Sequence, residues 1–122
     1  MKMLLAISPA VVLMVLSQLV TKWRIQHLYE TGTGTPDRLE RLVTYLSDPF
    51  IIGTYIAALA ASIAWMFVVE RYAISIAFPL YIGLTVVMVA AGGITLLGEP
   101  LTSSRAVSIA LILVGVAIGS RT

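Results

Sequence analysis

YAISIAFPLYIGLTVVMVAAGGITLLG, residues 72–98, runs without a single charged side chain. A helix rises about 1.5 Å per residue, so one helix over this run outreaches the ~30 Å hydrocarbon core of a bilayer. Outward from it, only Glu70 and Arg71 separate it from a second uncharged run, Pro49 to Val69. A third, Met3 to Thr21, lies near the N-terminus, and a fourth, Ala106 to Ser120, is extended by Leu101 to Ser104 across Arg105. Arg105 then sits on the first turn, where its guanidinium can snorkel to the headgroups.

The 122 residues are 59% hydrophobic and 11% charged, with a mean hydropathy of +0.99; a soluble domain carries about 25% charged residues. Four such runs exceed what one small core can bury, so the reading is an all-α integral membrane protein with four transmembrane helices near residues 3–25, 49–69, 72–97 and 102–120. The first run follows Lys2 like a signal sequence, but no small-x-small cleavage pattern closes it, and it reads as a retained helix.

The helix ends carry their own signals. Asp48-Pro49 offers a side-chain cap followed by a residue whose missing N–H costs nothing at the first helical position. Thr102-Ser103-Ser104 can cap the fourth helix, and Gly98-Glu99-Pro100 stops the third. The short Glu70-Arg71 link predicts a tight antiparallel hairpin in a compact up-down bundle. Leu39, Leu42, Val43 and Leu46 recur at helical spacing between Arg38, Glu40 and Arg41, after the Gly/Thr-rich hinge Thr31 to Thr35. This predicts a helix over about 36–47, started by Thr35 and Pro36, that lies along the membrane surface or packs on the bundle end.

Composition excludes several functions. A formal charge of +2 is too small and scattered for nucleic-acid binding. With no Cys and only His27, no metal cluster or thiol chemistry is expected, and no cofactor. No nucleophile triad, carboxylate pair or phosphate loop appears, so no enzyme is expected. Lys22, Arg24, Arg38, Arg41 and Arg105 fall on one side of an even-numbered bundle against Lys2, Arg71 and Arg121 on the other, a weak bias that places the long loop in the cytoplasm and permits insertion in both orientations.

Polar residues inside a bilayer need a reason. Gln18 and Lys22 share a face of the first helix; they present an amide and a cation to a lipid phosphate or sugar, or bond a neighbouring helix and snorkel. Pro79 removes a hydrogen bond near Ser75 and predicts a kink; beside it stand Phe78 and Tyr81, and beyond it Gly92 and Gly93. These aromatics line a substrate cavity with Pro79, Gly92 and Gly93 as a hinge, or the set serves packing. Ser108, Gly115 and Gly119 form a small-residue stripe for helix association within or between subunits. Glu99 and Arg105 lie close enough in sequence to pair at the membrane edge. Asp and Glu are absent from all four runs, whereas a proton-driven antiporter for cations requires a buried carboxylate.

Ser75-Ile76-Ala77-Phe78-Pro79-Leu80-Tyr81 and Leu97-Gly98-Glu99-Pro100-Leu101-Thr102, set in four helices, resemble the drug/metabolite transporter superfamily, in its four-helix small multidrug resistance and EamA-like group. Ser17-Gln18-Leu19-Val20-Thr21-Lys22 and Ile76-Ala77-Phe78-Pro79-Leu80 are similar to segments of the subunits that flip aminoarabinose-phosphoundecaprenol. Met14 stands where multidrug transporters keep their glutamate, and Tyr81 at their aromatic drug-site position. The resemblance implies a lipid flippase of the bacterial inner membrane that moves a polyprenyl-phosphate-linked monosaccharide. It implies a homodimer, or a heterodimer with a related four-helix subunit, joined through the last helix. Two other functions are compatible with the residues: a proton-coupled exporter of small amphiphiles that uses Glu70 or Glu99, and an assembly subunit that anchors a glycosyltransferase through Leu39 to Leu46.

Overall fold

A computed structural model of the chain describes residues 2–30 and 37–121. The expected hinge Thr31 to Thr35 and the expected helix start at Thr35 and Pro36 lie outside the described residues. Among the described residues five helices and no strands follow one another: α1 Lys2–Leu28, α2 Arg38–Ser47, α3 Pro49–Arg71, α4 Ile74–Leu96 and α5 Ser103–Gly119. Three of them, α1, α3 and α4, are long and apolar enough to cross a membrane. α5 is equally apolar but has 17 residues, about 26 Å of helix.

The ends obey the capping chemistry. Asp48 accepts from the Phe50 and Ile51 N–H groups at the start of α3, with Pro49 as its first residue, and Thr102 accepts from Arg105 N–H at the start of α5. Asp37 caps α2 through Leu39 N–H. At the far end of α4, Gly98 takes a left-handed conformation with φ 70°, which lets Glu99 N–H return to the Gly93 carbonyl at 3.1 Å. A side chain with a Cβ is strained there.

α1 holds the helices together. It packs along α3 and along α4, while α3 and α4 have little mutual contact and α5 rests on α4. The hairpin expected from the Glu70-Arg71 link is antiparallel but not tightly packed: its arms meet near the turn, where Trp65 touches Phe78 and Tyr81 at ring-centroid distances of 5.9 and 4.8 Å. Elsewhere α1 supplies the partner that the hairpin was expected to supply. The chain is a row of helices with α1 and α4 inside, in place of the expected compact bundle. Directions follow from the contacts. Thr21 meets Thr54, so α1 and α3 are antiparallel; Gly92 lies against Leu19 and Gly83 against Val116, which makes α4 parallel to α1 and antiparallel to α5.

The core is correspondingly thin. Ile7, Ala10, Val11 and Val15 of α1 pack with Val68, Ala77, Leu80 and Tyr81. No residue of α5 is buried, and large apolar side chains such as Leu59, Phe67 and Leu111 stand open on the outside. Water would penalise that surface, whereas hydrocarbon accepts it. Two substitutions separate core from lipid-facing positions. Ile7→Ala, at a fully buried site, should lower the unfolding free energy in a detergent titration by about 2–5 kcal/mol. Leu111→Ala, at a site 67% exposed, should leave it within about 0.5 kcal/mol.

Candidate functional site

The register of α1 decides which polar groups meet. At about 100° per residue, Ser17, Thr21 and Arg24 share one face, and this face meets α3. Thr21 Oγ1 donates to Thr54 Oγ1 at 2.8 Å, and Thr54 Oγ1 donates to the Ile51 carbonyl at 2.7 Å. Arg24 Nη2 lies 2.8 Å from Asp48 Oδ1, and its Nε is 3.0 Å from both carboxylate oxygens. The guanidinium also lies 4.7 Å from the centre of the Phe50 ring, which Trp23 meets edge-on while stacking on His27. An ion pair in a belt of aromatic rings is the chemistry of the membrane–water boundary.

Met14 and Gln18 occupy the next face, about a quarter turn round, and this face meets α4. Together with Tyr81, Ile82, Thr85, Val86, Val89 and Ala90 they line a groove of about 530 Å³ that opens at the surface. Its polar content is small: the Gln18 amide, which reaches the Met14 sulfur at 3.7 Å, the Tyr81 phenol and the Thr85 hydroxyl. Thr85 Oγ1 is buried and has no hydrogen-bond partner among the described residues. A helical threonine ordinarily donates to the carbonyl one turn back, and an unsatisfied buried hydroxyl costs about 1–3 kcal/mol. No carboxylate lines the groove, and Met14 is in its wall.

The sequence-derived candidates thus divide. Gln18 and Tyr81, far apart in the chain, line one groove. Phe78 is half exposed and touches Tyr81 and Trp65. Lys22 is exposed one turn beyond Gln18 on the same side of α1. Pro79 lies within α4, and with Ser75, Gly83, Gly115 and Gly119 it lines a separate apolar cavity of about 500 Å³ between α4 and α5. Gly119 meets Leu80 of the same chain, whereas open space faces Gly115. Ser108 donates to the Ser104 carbonyl at the other end of that groove. Gly92 gives α4 its close approach to α1: a Cβ there would fall 2.5 Å from Leu19 Cδ1. Arg105 donates to the Pro100 carbonyl at 3.0 Å, and no bond joins it to Glu99. Sequence reasoning missed Thr85 and the Arg24–Asp48 pair. For Thr85, the available signal was a hydroxyl one helical turn after Tyr81 in an otherwise apolar stretch.

Compared with protein-family models, curated proteins and solved structures, the chain matches none.

The Asp48 carboxyl titrates below the usual carboxylate range because Arg24 donates to it, with further help from the Ile51 and Phe50 N–H groups against the opposing effect of burial. A carboxylate depressed in the fold stabilises it at pH values above the unfolded value, near 3.9, and this contribution disappears as the pH falls through the lowered folded value. The melting temperature, followed by far-UV circular dichroism, should therefore show an acid transition below about pH 4. Asp48→Asn should remove that acid transition and lower the melting temperature.

Proposed function

We propose that this chain is a lipid flippase of the bacterial inner membrane, translocating a polyprenyl-phosphate-linked monosaccharide of the aminoarabinose type. The observation that carries the reading is the α1–α4 groove, an open and otherwise apolar groove lined by Gln18, Tyr81 and Thr85, the last with a buried hydroxyl that has no partner among the described residues. Sugar hydroxyls or phosphate oxygens satisfy Gln18, Tyr81 and Thr85 there, while the polyprenyl tail stays in lipid beside the exposed apolar faces. Lys22, one turn beyond Gln18, meets the phosphate where the groove reaches the interface. The resemblance drawn from the Ser-Gln and Phe-Pro segments supplies the substrate class.

In this reading α5 is the fourth span, its length made up at the interface by snorkelling and local thinning of the bilayer. α2 lies along the surface with Leu39, Leu42, Val43 and Leu46, all at least half exposed, turned to the acyl boundary and Arg38 and Arg41 to the phosphates. A row of four helices with an open groove encloses no headgroup path alone, so a second copy or a related four-helix subunit completes it. Pro79, Gly92 and Gly93 let α4 alternate, and Gly115, which open space faces, meets the partner. The groove has no carboxylate to exchange a proton for a cation, which favours the flippase over the proton-coupled exporter.

Purified protein in liposomes should make labelled undecaprenyl-phosphate aminosugar accessible to an impermeant reagent in the opposite leaflet. Thr85→Val and Gln18→Ala should each slow the transfer about tenfold, the scale of one well-made hydrogen bond, and Lys22→Ala should abolish it. Translocation no faster than in protein-free liposomes, or a wild-type rate in the variant carrying all three substitutions, overturns the assignment.

A further inference from the structure

A second cavity, of about 310 Å³, lies at the end of the molecule where α4 finishes and α5 begins, and it is built quite differently from the α1–α4 groove. Its lining combines the apolar side chains of Val86, Ala90, Ile94, Ile109 and Ile112 with Glu99, Arg105, Ser104 and Ser108. The placement of Glu99 is specific. The left-handed turn at Gly98 folds residue 99 back over α4, and its carboxylate settles into the space that buried Gly93 leaves: a Cβ at position 93 would fall 2.8 Å from Glu99 Oε2 and 3.2 Å from its Cδ.

Glu99 is half-buried, and among the described residues no donor bonds its carboxylate and no cation pairs with it. Arg105, which could neutralise it, spends Nη1 on the Pro100 carbonyl instead. The cavity thus presents an unpaired anion and a separate, incompletely used guanidinium. A carboxylate and a guanidinium that do not neutralise each other, set beside an apolar pocket, are complementary to a molecule that carries an ammonium, a phosphate and an acyl chain.

We propose that the α4–α5 cavity is a binding site for a zwitterionic aminophospholipid, with the primary ammonium on Glu99, the phosphate diester on Arg105 and the start of an acyl chain against Ile94, Ile109 and Ile112. The site shares only Val86 and Ala90 with the α1–α4 groove, and the inference does not depend on the flippase reading. A primary ammonium donates three hydrogen bonds to a carboxylate and carbonyls; a quaternary choline headgroup has no N–H to donate, and the neutral glycerol headgroup of phosphatidylglycerol offers Glu99 no cation.

Native mass spectrometry of the purified full chain in detergent, titrated with dioleoyl phosphatidylethanolamine, phosphatidylcholine or phosphatidylglycerol, tests this. Phosphatidylethanolamine should bind about tenfold tighter than either of the others. Glu99→Gln should erase that preference, and Arg105→Gln should weaken all three lipids alike. Gly93→Ala keeps both charges, but its methyl group pushes the carboxylate from its slot; it should reduce the ethanolamine preference while helicity is retained, which keeps the test decisive if Glu99→Gln fails to fold. Equal affinities for the three lipids in the wild type, or an ethanolamine preference that survives both Glu99→Gln and Gly93→Ala, overturns the proposal.

Discussion

The bond between Arg24 and Asp48 does two jobs that are usually separate. The Asp48 carboxylate accepts from the first N–H groups of α3 and at the same time holds the guanidinium of α1. Each task alone is ordinary: an N-cap satisfies N–H groups that a helix cannot satisfy itself, and an ion pair cancels two charges near a low-dielectric region. Sharing one carboxylate couples the rotation of α1 to the first turn of α3. With Arg24, Thr21 and Ser17 committed to α3, the neighbouring face with Met14 and Gln18 is turned to α4, and the groove follows from that angle.

The rest of the architecture fits a hydrocarbon surrounding, with three helices long and apolar enough to cross a membrane. In water a row of four helices with one interior seam would collapse further to hide Leu59, Phe67 or Leu111. In a bilayer there is no gain in doing so, and close backbone approach takes over as the organising force. The glycines show where it acts: Gly92 admits Leu19, Gly83 admits Val116 and Gly119 admits Leu80. Polar side chains are satisfied along their own helix, as Ser8, Ser62 and Thr95 are through carbonyls one turn back, or across helices, as Thr21 is by Thr54, or are left without a partner among the described residues beside a groove. Thr85 belongs to the last group, and that separates a packing residue from a candidate ligand-binding one.

Much of the secondary structure was legible in residue order. Uncharged runs located α1, α3, α4 and α5, and Asp48-Pro49, Thr102 and Gly98 marked their ends, because caps and hydropathy are local properties. Leu39 to Leu46 revealed α2 in the same way. The pairing of helices was not legible. A two-residue link between the second and third runs suggests that they pack together, yet α1 takes that place, since the fit of Ile7, Ala10 and Val11 against Ala77 and Leu80 outweighs chain proximity. The Arg24–Asp48 pair was hidden for a related reason: one residue looked like a loop charge, the other like a completed cap, and nothing in their spacing joins them. Gln18 and Tyr81 were identifiable singly as polar or aromatic groups in apolar surroundings, but their convergence on one groove depends on α1 and α4 running parallel.

The central claim is that the α1–α4 groove receives a lipid-linked sugar, and Met14 provides a direct probe because its sulfur touches the Gln18 amide in the groove wall. Carbon-13 methyl spectra of methionine-labelled protein, recorded while titrating undecaprenyl-phosphate aminosugar, resolve Met14 from the lipid-facing Met66 and Met88. The account predicts a saturable shift of the Met14 signal, little change at the other two, and no such shift with undecaprenol lacking the phosphate and sugar. A Met14 signal that stays unmoved at saturating sugar lipid, or that responds equally to the bare polyprenol, would contradict it.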